Sequence, residues 1–371
     1  MSASDEEKNL DEIEKEEESP ISHPFDPSKI DVKSSVKSIY TLMQRMKHGE
    51  MIAPEYQRKS NIWSLEVKSR LIESLLVRIP LPLFYLDATE DDKWKIVDGL
   101  QRLTTLHEFC NEKTFKLTGL EYLKDNLEGK GFDDLHRSYQ RRIEETDVTV
   151  ILINPETPEN VKFNIFKRIN TGGEPLTEQE IRHALNQGFA TTILGELADS
   201  EIIQEIFNPK KNKTNDRMEL NEIVLRGLSY LFIPTNKTFE LDLDSFLNLG
   251  MSMINEEAKK NLNETEKKVK KYLQYIEFVK DITKENTFRK INNLNNKKSP
   301  LNINVYELWM AVINYVDLNK YNDLKSRESL YRDYVNLYDN QKFIYSLSSR
   351  KQEYLEYRFN RMLEILGVEN A

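Results

Sequence analysis

A chain of 371 residues with 39% hydrophobic and 31% charged content and a mean hydropathy of −0.64 has apolar material for one large domain or two ordinary ones. It contains no run of about 18 apolar residues, which excludes a membrane-spanning helix. Its single cysteine, Cys110, excludes an internal disulfide and a cysteine-rich zinc site. The first twenty residues are acidic rather than basic and then apolar, so no secretory signal is expected and a cytoplasmic location is the default.

The net charge of −9 is unevenly spread. Residues 1–19 hold nine acidic side chains against Lys8 and Lys15, a local balance of −7 that leaves −2 for the rest. With almost nothing apolar to bury, residues 1–30 are expected to be a disordered acidic tail. The plain reading of that tail is solubilising; the sharper one is an electrostatic mimic of nucleic acid that shields a basic surface. The near-neutral remainder neither announces nor excludes contact with DNA.

Residues 32–47 have helical spacing through Val36, Ile39, Tyr40 and Met43. A loop over 49–61 follows, and Ser64 is placed to cap a helix whose apolar positions are Val67, Leu71, Ile72, Leu75 and Leu76. Pro80 and Pro82 end it. Short strands are predicted at 83–86 and 94–97, separated by a polar turn, and helical spacing returns through Leu103, Leu106 and Phe109. The β-branched run 148–153 is a third strand; 158–169 and 177–186 are helices. From about 190 onward no strand is predicted, and 219–232, 264–282, 305–315 and 352–366 read as helices between polar breaks at 208–216 and 292–300. The fold class expected is α+β, a mixed unit over 31–188 followed by an all-helical unit over 189–371.

Three segments could carry chemistry. The first is Asp98-Gly99-Leu100-Gln101-Arg102, between a strand and a helix. A helix start leaves its first N–H groups unpaired with the positive dipole end behind them, an anion site in waiting. Gly99 would let a phosphate approach the backbone, Arg102 would grip two phosphate oxygens, and Asp98 would hold Mg²⁺, orient Arg102 or position a water. Asp98 and Gln101 equally fit a capping box, although a cap does not need the arginine. The second segment has Tyr56 for base stacking and Arg58 for a phosphate, or both for ordinary surface packing. The third, from Phe166 to Gly173, ends in two glycines that suit either a nest of N–H groups or a helix stop before a capping box at Thr177 and Glu180.

In order, the segments read P-E-Y-Q-R, D-G-L-Q-R and F-K-R-I-N-T-G-G-E-P-L-T-E-Q-E-I-R. This resembles the N-terminal domain family of the GmrSD restriction endonucleases over about 39–187, with weaker likeness from Arg217 to Arg226. The resemblance implies a ParB/sulfiredoxin-like core and a place in systems that restrict modified or foreign DNA. It also implies a D-G-x-Q-R motif associated with binding and hydrolysing nucleoside triphosphates, for which Mg²⁺ is the metal the Asp98 reading allows. Carried over, the motif falls on Asp98, Gly99, Gln101 and Arg102, with Asp98, Gln101 and Arg102 the candidate catalytic residues and Asp98 the candidate Mg²⁺ ligand. The supporting loop falls on Tyr56, Gln57 and Arg58, and the glycine turn on Arg168, Asn170, Thr171, Gly172 and Gly173. Leu100 stands where relatives commonly have glutamine, which removes a polar contact bearing on hydrolysis.

Relatives that cut DNA often carry a His-Asn-His nuclease domain, whereas the histidines here are His23, His48, His107, His136 and His183, none beyond position 183. A histidine–metal nuclease is therefore not expected in the helical half, and any cutting is expected from a partner nuclease or effector. Cys110, in an apolar helix, reads as core. Lys267, Lys268, Lys270 and Lys271 alternate with acids as a solvated face, whereas Lys210, Lys211 and Lys213 could touch DNA phosphates. The leading expectation is a nucleotide-binding, nucleotide-hydrolysing component of a restriction-like, anti-phage defence system. The rival is a non-enzymatic DNA-binding or adaptor protein whose same site receives a DNA phosphate.

Overall fold

The β-branched run Val148–Ile153 lies in the strand around which one half of the chain is organised. The computed structural model describes residues 13–14, 32–52, 63–90, 93–154, 157–169, 176–208, 218–291 and 298–368. The chain divides into two compact units, residues 25–187 and residues 188–371 together with 1–24. This is an α+β unit followed by a helical one, as the periodicities predict.

In the first unit the strands β2 (Val32–Ser38), β3 (Met51–Ile52), β4 (Phe84–Glu90), β5 (Lys93–Asp98) and β6 (Asp147–Ile153) form one mixed sheet in the order β2-β6-β4-β5-β3. β6 runs antiparallel to β2 and parallel to β4, β4 is antiparallel to β5, and β5 is parallel to β3. Alternation along the strands divides the side chains between two faces. Phe84, Leu86, Trp94, Ile96, Val148 and Val150 join one core with helices α1 (Ile39–Lys47), α2 (Leu65–Leu76), α3 (Leu100–His107), α4 (Lys124–Leu127) and α5 (Arg137–Glu144). On the other face Val97 and Ile153 pack with Phe163 and Phe166 of α6 (Glu159–Ile169) and Ile181 and Leu185 of α7 (Glu178–Leu185).

The helix expected over 32–47 is corrected. Residues Val32–Ser38 form a strand paired along its whole length with β6, and the helix starts only at Ile39, capped by Ser38. Val36 and Tyr40, two of the residues that suggested a helical stripe, are exposed, whereas Ile39, Leu42 and Met43 are buried. Edge-strand alternation with one wet face had imitated helical spacing. Helix α2 starts where Ser64 predicts, with the Val67 N–H donating to Ser64 Oγ at 3.4 Å.

Helix α2 also buries Glu73. Its carboxylate accepts from the backbone N–H groups of Glu121, Tyr122 and Leu123 at 2.7–3.1 Å, closing the chain turn before α4. Removing the carboxylate takes the partner from three part-buried donors, and charge-assisted bonds of this kind are the strong ones. Glu73→Ala is expected to destabilise the protein by on the order of 3 kcal/mol, read as a lower urea midpoint. A midpoint within experimental scatter of wild type would show that these bonds are replaced by water at no cost.

The second unit contains α8 (Phe189–Ala198), α9 (Glu201–Phe207), α10 (Glu219–Ser229), α11 (Thr235–Thr238), α12 (Leu243–Lys260), α13 (Leu262–Thr283), α14 (Ile303–Ala311), α15 (Leu324–Asn336), α16 (Gln341–Ser346) and α17 (Gln352–Ile365). All nine residues of α14 are buried, so it is the central helix of this unit. Helix α10 comes so close that a Cβ on Gly227 would lie 2.0 Å from the Tyr306 hydroxyl oxygen. Glu307 of α14 accepts from Arg226 Nη1 of α10 at 3.0 Å and from Arg350 Nε at 3.2 Å, and Arg358 Nη2 of α17 lies 4.0 Å away. The acidic segment expected to be disordered contributes a two-residue strand, β1 (Ile13–Glu14), which pairs in parallel with β7 (Leu301–Asn302) of this unit. β7 is also a strand in a region where none was expected.

Candidate functional site

The D-G-L-Q-R segment lies where the sequence places it, between β5 and α3. Asp98 closes the strand opposite Tyr85 of β4. Gly99 then turns the chain with φ +94°, a left-handed conformation that favours glycine, and its carbonyl accepts from the Leu103 N–H at 2.9 Å. A Cβ there would meet Phe84 Cδ1 at 2.5 Å and Arg102 Nη2 at 3.3 Å, so glycine is also demanded by the neighbouring ring.

The N-cap of α3 is Gly99, which has no side chain to cap the helix, and Asp98 lies one residue before it. The alternative reading of Asp98 and Gln101 as a capping box is thereby corrected. Asp98 Oδ2 instead accepts from Arg102 Nη2 at 2.8 Å.

Arg102 differs from the free phosphate fork that was expected. Nη1 donates to the Pro82 carbonyl at 2.6 Å, and Nη2 donates to the Leu83 carbonyl at 3.1 Å as well as to Asp98. The guanidinium carbon lies 4.6 Å from the centre of the Phe84 ring, and the side chain is 12% exposed. Burial pulls its pKa down while Asp98 pulls it up, with burial the stronger. Arg102 is thus a brace that holds the Pro82–Leu83 turn and the Asp98 carboxylate in one geometry. Asp98, with its side chain 41% exposed, meets solvent at this junction.

Of the outlying motifs, Tyr56, Gln57 and Arg58 and Asn170, Thr171, Gly172 and Gly173 lie outside the described residues. Their described neighbours converge on β5. Strand β3, which leads into the first motif, runs parallel beside β5, and Phe166 and Leu176, on either side of the second, pack with Val97, the residue before Asp98. Arg168, in the last turn of α6, is exposed. The capping box predicted at the start of α7 is present: the Glu180 N–H donates to Thr177 Oγ1 at 3.2 Å and the Thr177 N–H to Glu180 Oε2 at 2.6 Å.

The face of the sheet under α6 and α7 holds polar groups that sequence reasoning missed. Lys162 Nζ and Asp87 Oδ1 form an ion pair at 3.4 Å with both side chains almost wholly buried. On α7, Gln179, Glu180, Arg182 and His183 are all buried. Arg182 Nη1 donates to Gln179 Oε1 at 3.2 Å, and the Arg182 guanidinium lies over the Phe163 ring at 5.1 Å. Burial lowers the His183 pKa to about 4, which keeps the ring neutral near pH 7. The one available signal was the run E-Q-E-I-R after the capping box, which reads equally as the solvated first turn of any helix.

Cys110, which reads as core, is half-buried, and burial with the nearby Glu144 charge pushes its thiol up to about 12, away from nucleophilic chemistry. Among the described residues no three His, Cys, Asp or Glu side chains converge as a metal cluster. Mg²⁺ typically takes one or two carboxylates and draws its other ligands from phosphates and water, and the exposed Asp98 carboxylate suits that donor set.

Residues 39–187 match the family model for the GmrSD restriction endonuclease, N-terminal domain. Neither a curated protein nor a solved structure gives a match.

Proposed function

We propose, from the match of residues 39–187 to the GmrSD restriction endonuclease N-terminal domain, that the chain binds and hydrolyses a nucleoside triphosphate in a restriction-like, anti-phage defence system, acting with a partner effector. The observation that carries this reading is the junction of β5 and α3. There the solvent-facing Asp98 carboxylate, braced by the part-buried Arg102, stands beside a helix start whose N-cap is a glycine. N–H groups of a helix's first turn carry no intrahelical bond and favour a phosphate group.

Mg²⁺, when bound with the triphosphate, supplies neutralisation of phosphate charge. Asp98 would hold that ion or orient the attacking water, and Arg102 fixes the carboxylate without itself gripping the ligand. Arg102 therefore acts as a positioning residue. Cutting of DNA belongs to the partner in this reading.

A ligand that binds only the folded state raises its stability by about 2.7 kcal/mol at a hundredfold excess over Kd. Thermal melting of the full chain with ATP, GTP, CTP and UTP, each with and without Mg²⁺, is expected to show an upward shift of several degrees for at least one nucleotide, larger when Mg²⁺ is present. A flat panel under all eight conditions would count against nucleotide binding and leave the DNA-binding alternative.

A further inference from the structure

We infer that Gln179 of α7 donates a hydrogen bond to the phosphate chain of the bound nucleotide, with Arg182 setting the direction of its amide. This inference rests on the nucleotide reading above and assigns it a contact outside the D-G-L-Q-R motif.

The orientation of the Gln179 amide follows from chemistry. A guanidinium has only donors, so the Gln179 carbonyl must face Arg182 Nη1, which lies 3.2 Å from Oε1. The amide nitrogen is thereby turned away from Arg182. Gln179 is 1% exposed, and its Nε2 has no hydrogen-bond partner among the described residues. Buried amide donors are almost always satisfied, and one left open is a cost to the folded state that an arriving acceptor would relieve.

Two further observations bear on where a phosphate would be held. Helix α7 packs through Ile181 and Leu185 against Val97, the residue before Asp98, so the amide belongs to an element seated on the strand that carries the candidate site. The Arg102 fork is spent on Pro82, Leu83 and Asp98, so the junction does not itself offer a free guanidinium to a phosphate. Arg182, the residue after Ile181 and wholly buried, sets its guanidinium beside the open amide, with the Glu178 carboxylate 3.6 Å from its Nη2. A donor next to a cation suits an anionic oxygen better than the mixed donor and acceptor edge of a base.

Gln179→Glu is the discriminating variant. It keeps the acceptor that faces Arg182, strengthens that pairing, and replaces the open donor by a negatively charged oxygen. Nucleotide affinity, measured by calorimetric titration of Mg²⁺–ATP and Mg²⁺–GTP into the full chain, is expected to fall at least tenfold while the melting temperature of the unliganded protein is unchanged or higher. Gln179→Met, which removes the donor without adding charge, is expected to show a smaller loss of the same sign. Inorganic tripolyphosphate should displace nucleotide from the wild type and do so less well from both variants, which separates a phosphate contact from a base contact. Wild-type affinity in Gln179→Glu, with Asp98→Asn still impaired, would mean that a buried water serves the amide, and only this inference falls. Absence of binding by the wild type would remove the inference and the nucleotide reading together.

Discussion

Glu307→Ala is expected to destabilise the protein by about 3–5 kcal/mol, the cost of removing one partner from a buried ionic cluster. The carboxylate is 1% exposed and stands among Arg226, Arg350 and Arg358, whose side chains are 11%, 3% and 1% exposed. Arg226 keeps a second partner in Glu222 at 2.9 Å, and Arg358 is held by the Ser346 and Ser349 carbonyls and Asn304, so these side chains are fixed in place and cannot turn to water. Without the glutamate, their like charges face one another in the core of the helical unit. Glu307→Gln should recover part of the loss, because the amide oxygen still accepts one bond.

The same cluster predicts a pH dependence. Burial pushes the Glu307 pKa up, but Arg350, Arg226 and Arg358 together outweigh it and hold the group below its ordinary value of 4.5. A carboxylate that titrates lower in the folded than in the unfolded state contributes its stability in full above the unfolded value and loses it as pH falls through the folded one. The wild type should therefore lose stability below about pH 4.5 by more than Glu307→Gln does. Parallel acid limbs for the two proteins, followed by melting temperature, would contradict this account of the cluster.

Gly99→Ala is the second large effect. An alanine at φ +94° costs about 1–2 kcal/mol for the left-handed backbone, and its methyl group must displace the fully buried Phe84 ring from a 2.5 Å approach, which adds about 1–3 kcal/mol of overpacking. The sum, on the order of 3 kcal/mol, should appear as a lower urea midpoint. Because Phe84 also underlies Arg102, any nucleotide affinity should fall with it. Unchanged stability would show that the ring yields freely and that the junction is softer than its geometry implies.

Parts of this architecture were legible before any coordinates. The run at 148–153 is β-branched and could only be a strand, and the change from the W-K-I-V strand through Gly99 to helical spacing located the junction. Strand β2 was not legible, because its exposed Val36 and the buried Ile39 and Met43 fall at helical intervals although they belong to two different elements. The engagement of Arg102 was hidden for another reason: its acceptors, Pro82 and Leu83, come near only after β4 and β5 pair. Burial of Gln179 and Arg182 was equally invisible, since nothing local distinguishes a polar helix start laid on a sheet from one facing water. Tertiary packing decided each of these, and local pattern carried no record of it.

The central claim is that the Asp98 carboxylate, braced at the start of α3, serves a bound nucleoside triphosphate. Calorimetric titration of Mg²⁺–nucleoside triphosphate into the full chain and into Asp98→Asn tests it most directly, with phosphate release followed on the same samples. Saturable one-site binding by the wild type is expected, with an affinity at least tenfold weaker in the variant and slower phosphate release, both proteins being folded. Equal affinities in the two proteins, or no binding of any of the four nucleotides by the wild type, would contradict it.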